Sequence, residues 1–116
     1  MPEIALIVGA GSGLSASLAR LLAREGMKVA LAARNADKVQ PLADEIGGMA
    51  WPCDATEPGQ VAGLFSAVES KLGVADLTVF NAGERTRGPL VELDVEEVRK
   101  TLISSAFAGF LVGQAA

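Results

Sequence analysis

The stretch VGAGSGLSASLARLLAREG, residues 8–26, constrains the fold most, because it places three glycines between a short apolar run and a helical pattern. The run at 4–8 is uninterrupted, as in a strand buried on both faces. Leucines then recur on one helical face until Gly26, a residue suited to ending a helix. At such a junction, free backbone N–H groups and the positive end of the helix dipole can hold a pyrophosphate. The stretch predicts nucleotide binding, with close packing of a helix on a sheet as the alternative reason for the small residues.

The rest of the chain alternates between apolar runs and amphipathic helical patterns. The apolar runs predict strands at 4–8, 28–33, 49–53 and 76–80, and the intervening and following segments predict four helices. Short connections between alternating strands and helices are typical of parallel βαβ units joined by right-handed crossovers. We therefore expect a single α/β domain over residues 1–116, with a doubly wound parallel sheet.

Local signals predict how three of these helices begin and which face of the last one is buried. Thr56 is the expected N-cap of the third helix, with Pro58 in its first turn. Asp94 is the expected N-cap of the fourth, with Glu97 completing a capping box. Pro41 lacks a backbone donor, so we expect the second helix to start late or to kink. The spacing in the fourth helix predicts an inward face formed by Val95, Val98, Leu102, Ala106 and Phe110.

Composition excludes several classes of function. The net charge is −4 and the ten Lys and Arg residues are scattered among fourteen acids, so we expect no nucleic-acid partner. The uncharged runs at 4–19 and 101–116 are shorter than the roughly 20 residues that cross a bilayer, so we expect no membrane span. No cluster has metal-ligand spacing. Cys53, the single cysteine, cannot form an intrachain disulfide, which is consistent with a cytoplasmic protein.

The glycine spacing separates two dinucleotide-binding patterns. G-x-G-x-x-G would need a glycine at Leu14, whereas G-x-x-x-G-x-G departs from this sequence only at Ser15. The segment VGAGSGLS resembles the loop of the short-chain dehydrogenase/reductase family, which commonly reads like TGASSGIG. The resemblance implies that a nicotinamide dinucleotide is bound by the loop residues Gly9, Gly11, Ser12, Gly13 and Leu14.

The resemblance includes one residue after the second strand and one after the third, and it implies that both contact the adenosine half of the cofactor. Family members that prefer NAD tend to carry an acid at the end of the second strand, where this chain has Ala33 followed by Arg34. Arg34 offers a planar charged fork suited to a ribose 2′-phosphate, so NADP(H) is favoured over NAD(H). The alternative interpretation is that Arg34 is only a solvated loop residue. Asp54 occupies the place where the family uses an acid to accept a hydrogen bond from the adenine amino group. The alternative interpretation is that Asp54 forms an Asx turn before Thr56.

The segment Phe80-Asn81-Ala82-Gly83 resembles the family motif NNAG, with Phe80 replacing the first Asn. Under the resemblance, Asn81 helps to fix the strand beside the cofactor, and Gly83 lets the backbone approach the nicotinamide ribose. Ala82 joins them in the implied cofactor-binding set. Taken alone, the segment would also suit a turn.

The catalytic part of the family pattern is missing. The family uses a Tyr and a Lys four residues later, but this chain contains no tyrosine and no histidine. Ser105 falls at the position of the family's Asn, so we expect no catalytic residue in this chain. The last residues form an apolar helical pattern, and the resemblance then implies a Rossmann-like sheet of order 3-2-1-4 that is truncated before the fifth strand.

Three functional classes remain open. The chain is the NADP(H)-binding portion of an oxidoreductase that transfers hydride between a nicotinamide cofactor and an alcohol or carbonyl substrate, a stand-alone dinucleotide-binding module without catalysis, or an assembly unit that pairs through an open sheet edge. An unpaired fourth strand and an apolar last helix predict a homo-oligomer or association with a complementing C-terminal half.

Overall fold

The structure is a computed structural model that describes residues 2–11, 13–83 and 86–116. Strands and helices alternate along the chain, as the sequence predicts. The strands are β1 (Ile4–Val8), β2 (Lys28–Ala33), β3 (Met49–Pro52) and β4 (Leu77–Phe80). The helices are α1 (Leu14–Arg24), α2 (Ala36–Ile46), α3 (Pro58–Lys71), α4 (Val95–Leu102) and α5 (Ala108–Ala115), with a 3₁₀ turn at Leu90–Glu92 and a π-helical turn at Ile103–Phe107 between α4 and α5.

All strand pairs are parallel, and the sheet order is β3-β2-β1-β4. This confirms the predicted Rossmann-like architecture. The chain adds β2 and then β3 on one side of β1, and it returns to add β4 on the other side. The topological switch point therefore lies between β1 and β4. In open α/β sheets, ligands bind beyond the carboxyl ends of the strands at this point.

Helices cover both faces of the sheet. On one face, α1 and α2 pack against Ile7, Val29 and Leu31. On the other, α3 and α5 pack against Leu6, Val8 and their neighbours. All five side chains of β1 are buried, which explains the uninterrupted apolar run that marks this strand in the sequence. No helix within the described ranges is long and apolar enough to cross a bilayer.

Some predicted element ends are confirmed. Gly26 has a φ of 92° and donates its N–H to Ala23 O just after α1 ends, as expected of a glycine beyond a helix C-terminus. The Asp94 side chain accepts from the Glu97 backbone N–H at 3.0 Å and caps α4.

Two other helix starts differ from the prediction. The N-cap of α3 is Glu57, not Thr56, because Thr56 is held by the Asp54 side chain in the preceding turn. The start of α2 is not delayed by Pro41, since the helix begins at Ala36 and continues through it. Asn35 caps this helix by accepting from the Asp37 N–H, and this cap provides the early start.

The predicted inward face of the last helices is wrong. Val95, Leu102 and Phe110 are 72%, 59% and 59% exposed, Ala106 is exposed, and only Val98 is half-buried. The buried positions are instead Ser104, Ala108 and Val112. A Cβ atom added to Gly109 would lie 3.3 Å from the Phe80 ring, so the helix approaches β4 too closely for a large side chain at this position. Ser104, Ala108 and Val112 therefore face the sheet, whereas the bulkier Leu102 and Phe110 face outward.

Candidate functional site

The junction between β1 and α1 contains an open cradle at the N-terminus of the helix. Gly13 is the N-cap residue, with a φ of 82°, and among the described residues no side chain caps α1. A Cβ atom on Gly11 or Gly13 would meet no atom within 4 Å. The helix N-terminus therefore opens onto free space, where first-turn N–H groups can receive an anion.

Gly9, at the start of the glycine loop, lies in direct contact with the segment after β4. Its φ is 92°, and an added Cβ would lie 2.5 Å from the Ala82 backbone nitrogen. Its own N–H donates to Ala32 O at 2.9 Å, which joins the loop to the end of β2. Only glycine combines this φ with such a close approach of two backbones.

Asn81 and Gly83 follow β4 and face the same edge of the sheet. The Asn81 side-chain amide donates to Ser15 Oγ at 2.8 Å, and the Asn81 backbone N–H donates to Val8 O at 2.8 Å. Gly83 has a φ of 131°, and an added Cβ would lie 2.6 Å from Ser105 Oγ. The segment after β4 is thus fixed against β1 on one side and against the π-helical turn on the other.

Asp54 forms the Asx turn that the sequence offers as its alternative role. Its Oδ1 accepts from the Thr56 hydroxyl at 2.7 Å and from the Thr56 backbone N–H at 3.0 Å. These two bonds, with a smaller contribution from the charge of Arg34, hold the pKa of Asp54 below its usual value. Asp54 is therefore an ionised acceptor at neutral pH, which suits an amino group as well as the turn.

A cavity of about 250 Å³ joins these segments at the carboxyl edge of the sheet. Its lining includes the last residues of β1 and β2, the residues that follow β3 and β4, and Ala108 of α5. The predicted site residues that line it are Gly9, Arg34, Asp54, Asn81, Ala82 and Gly83. Cys53 also lines it, and burial, followed by the charge of Asp54, raises the pKa of its thiol, so the thiol stays protonated at neutral pH.

A family model described as short chain dehydrogenase matches residues 3–116. The chain belongs to this family.

Relatives and solved structures agree with the match. An uncharacterized oxidoreductase of Staphylococcus aureus is 34% identical over 98 residues, which cover 82% of this chain and 42% of the relative. A short-chain type dehydrogenase/reductase from Mycobacterium marinum superposes with a TM-score of 0.90 at 38% identity, covering 98% of this chain and 48% of that one. A variant of an actinorhodin polyketide ketoreductase, solved with NADPH, gives a TM-score of 0.93 at 28% identity, covering 98% and 46%. The chain spans less than half the length of each of these proteins.

The other described residues of the predicted site are not among those that line the main cavity. Gly11 lines a neighbouring cavity of about 250 Å³ together with Lys38. Leu14 is the first residue of α1 and is 72% exposed. Ser105 lies in the π-helical turn and contacts Gly83 rather than lining the main cavity. Ser12 is outside the described residues.

Sequence reasoning missed two serines at the site. Ser104 is buried and lines the main cavity, but it was not predicted because the buried face of this helix was misassigned. Ser15 is 2% exposed and accepts from Asn81 while donating to Gly9 O at 3.3 Å. The sequence shows Ser15 only as a departure from the glycine pattern, and no local signal connects it with Asn81.

Within the part of the chain that the structure describes, no group of three or more His, Cys, Asp and Glu side chains could hold a metal ion.

Proposed function

We propose that this chain is the NADP(H)-binding portion of a short-chain dehydrogenase/reductase that transfers hydride between a nicotinamide cofactor and an alcohol or carbonyl substrate. The observation that carries the proposal is the cavity at the switch point, which adjoins an uncapped helix N-terminus with open space over Gly11 and Gly13. A bound diphosphate fits this cradle because side chains at either glycine would occupy it. Ser12, in the same loop, is a proposed contact as well.

The residues around the cavity suit the two halves of a dinucleotide. Arg34 and Asp54 lie at the ends of β2 and β3 and would hold the 2′-phosphate and the adenine amino group. Asn81, Ala82 and Gly83, after β4, would lie along the nicotinamide half. The nicotinamide supplies or accepts the hydride when bound, and the protein contributes binding and orientation.

The preference for NADP(H) can be tested with Arg34→Ala. We expect the affinity for NADPH to fall by about 1 to 3 kcal/mol, or roughly 5- to 150-fold, because a charge-assisted contact to the 2′-phosphate is lost. The affinity for NADH should hardly change. Isothermal titration calorimetry on both nucleotides measures the difference.

Arg24→Ala is the matched control, since Arg24 is an exposed arginine in the last turn of α1, at the opposite end of the helix from the cradle. It should leave both affinities unchanged. Equal losses for NADPH and NADH in Arg34→Ala would contradict the 2′-phosphate role.

The family's acid/base tyrosine, which would supply the proton during turnover, is absent from this sequence. With no tyrosine and no histidine in 116 residues, nothing replaces the family's acid/base residue. We therefore expect the 116-residue chain, saturated with NADP, to oxidise no alcohol and reduce no ketone above background. Absorbance at the nicotinamide band measures this, and steady turnover by a preparation whose mass is verified would contradict it.

We also propose that the chain associates, either with a second copy or with a complementing C-terminal half, and that it works in the cytoplasm. Support for association comes from the outer face of the last helices, where Leu102, Ile103, Phe107 and Phe110 are between 40% and 59% exposed. Apolar surface of this kind favours burial against a partner. Light scattering should show a species larger than the 11.9 kDa chain, and it should persist at high salt. A salt-resistant monomer would favour the stand-alone module instead.

A further inference from the structure

Ser15 is the one residue that departs from the family's glycine pattern, and its hydroxyl connects two parts of the site. It accepts from the Asn81 side-chain amide at 2.8 Å and donates to Gly9 O at 3.3 Å. We propose that Ser15 is a positioning residue: it ties the glycine loop to the segment after β4 and so orients the backbone that receives the nicotinamide half of the cofactor. This inference rests on the function proposed above.

Ser15 and Asn81 differ in how tightly the surrounding structure holds their side chains. Ser15 is 2% exposed and is the second residue of α1, so its position is set by the helix. Its side chain points back toward the helix N-terminus, as helical side chains do, and therefore toward the loop. Asn81 is exposed at the edge of the cavity, where water competes for its amide. The fixed hydroxyl therefore selects one orientation of an otherwise solvated side chain.

The Ser15 hydroxyl acts both as a hydrogen-bond donor and as an acceptor. A serine hydroxyl has one donor, which goes to Gly9 O, and can accept at the same time from Asn81. A glycine at this position would leave the carbonyl and the amide without this bridge. The serine thus adds a link that the family's usual loop cannot make through a side chain.

The link reaches the nicotinamide side because the neighbouring backbones are packed directly on one another. Gly9 lies against the Asn81–Ala82 peptide, and Gly83 lies against Ser105. A change in the orientation of Asn81 is therefore passed to Ala82 and Gly83 rather than absorbed by free space. Arg34 and Asp54 follow β2 and β3, on the side of β1 away from β4 and Asn81, so we expect the adenosine half of the cofactor to respond less than the nicotinamide half.

The experiment compares two ligands on variants of the 116-residue chain: NADPH, which has both halves, and 2′,5′-ADP, which has only the phosphorylated adenosine half. In Ser15→Ala and Ser15→Gly, we expect the affinity for NADPH to fall about fivefold, because a freed Asn81 side chain must then be ordered when the cofactor binds. The affinity for 2′,5′-ADP should change less than about twofold. Ser15→Gly introduces the residue of the usual family loop and is the variant that keeps the test valid if Ser15→Ala folds poorly.

A double-mutant cycle tests whether Ser15 acts through Asn81. Asn81→Ala should weaken NADPH by a similar factor, and the double variant Ser15→Ala/Asn81→Ala should lose no more than the larger single loss. Val68→Ala, in a buried position on α3, is the control for general destabilisation. It should lower the melting temperature while leaving the ratio of the NADPH and 2′,5′-ADP affinities unchanged.

Each remaining outcome decides against one of the two proposals. Unchanged NADPH affinity in both Ser15 variants, equal losses for both ligands, or additive losses in the double variant would overturn the positioning role while leaving the proposed function intact. Failure of the unmodified chain to bind either ligand would overturn the proposed function, and the positioning role with it.

Discussion

Residues 4–33 and residues 95–115 are both rich in apolar side chains, but they bury them in different ways. In the first region, all five residues of β1 are buried, and Val29 to Ala32 of β2 are buried as well. In the second region, Leu102, Phe107 and Phe110 are exposed, whereas Ser104, Ala108 and Val112 are buried against the sheet. Apolar character therefore coincides with burial in the two strands of the first region and separates from it in the second region.

The difference comes from the number of neighbours that each region has. A central strand of a doubly wound sheet is covered on both faces, so each of its side chains is buried whichever way it points. A helix on the surface of the sheet has one covered face, and the distance of approach decides which residues can occupy it. Close packing against Phe80 leaves no room for a large side chain at Gly109, and Ala108 and Val112 fill the covered face beside it. Large apolar side chains are then left exposed on the outer face of α4 and α5.

The largest expected effect tests how tightly the first region is packed. Gly9→Ala should lower the free energy of unfolding by about 2 to 4 kcal/mol, because the new Cβ would clash with the Ala82 backbone at a φ unfavourable for alanine. Gly11→Ala should change stability by less than about 1 kcal/mol, since no atom lies within 4 Å of the new Cβ. Urea denaturation measures both. Equal effects would show that the loop is looser than the structure indicates.

A smaller effect should separate the two faces of the last helices. Val112→Ala removes buried methyl groups and should cost about 1 to 3 kcal/mol. Phe110→Ala removes a larger but 59% exposed side chain and should cost less than about 1 kcal/mol in a dilute sample. The same Phe110 variant should reduce association in light scattering. A larger stability loss for Phe110 than for Val112 would reverse the assignment of the faces.

The smallest effect concerns a polar contact at the cofactor edge. Thr56→Val removes the hydroxyl that lowers the pKa of Asp54 most, so this pKa should rise toward its ordinary value. A depressed folded-state pKa stabilises the fold above the unfolded pKa, and this contribution is lost as the pH falls through the folded value. The variant should therefore lose less stability on acidification below about pH 4. Carbon-detected titration of the Asp54 carboxyl measures the shift, and an unchanged pKa would contradict the hydrogen bond from the Thr56 hydroxyl.

Much of the first region could be predicted from sequence because its signals lie within a few residues of one another. The apolar run of β1, the glycines after it and Gly26 beyond α1 each report a local backbone requirement. The Asp94 cap could be predicted for the same reason, since its partner Glu97 is three residues away. The predicted Thr56 cap failed because two local signals competed, and the Asp54 turn took the threonine.

The sequence by itself determined the four strands, the first three helices, their order and the polar residues that follow the strands, because these depend on neighbours along the chain. The tertiary structure decided which face of α4 and α5 is buried and what Ser15 does. The Ser15–Asn81 hydrogen bond spans 66 positions in the chain, and it exists only because β4 pairs with β1 on the side away from β2. Contacts of this kind depend on which segments the fold brings together in space. The residue types near Ser15 or near Asn81 do not indicate that the two side chains meet.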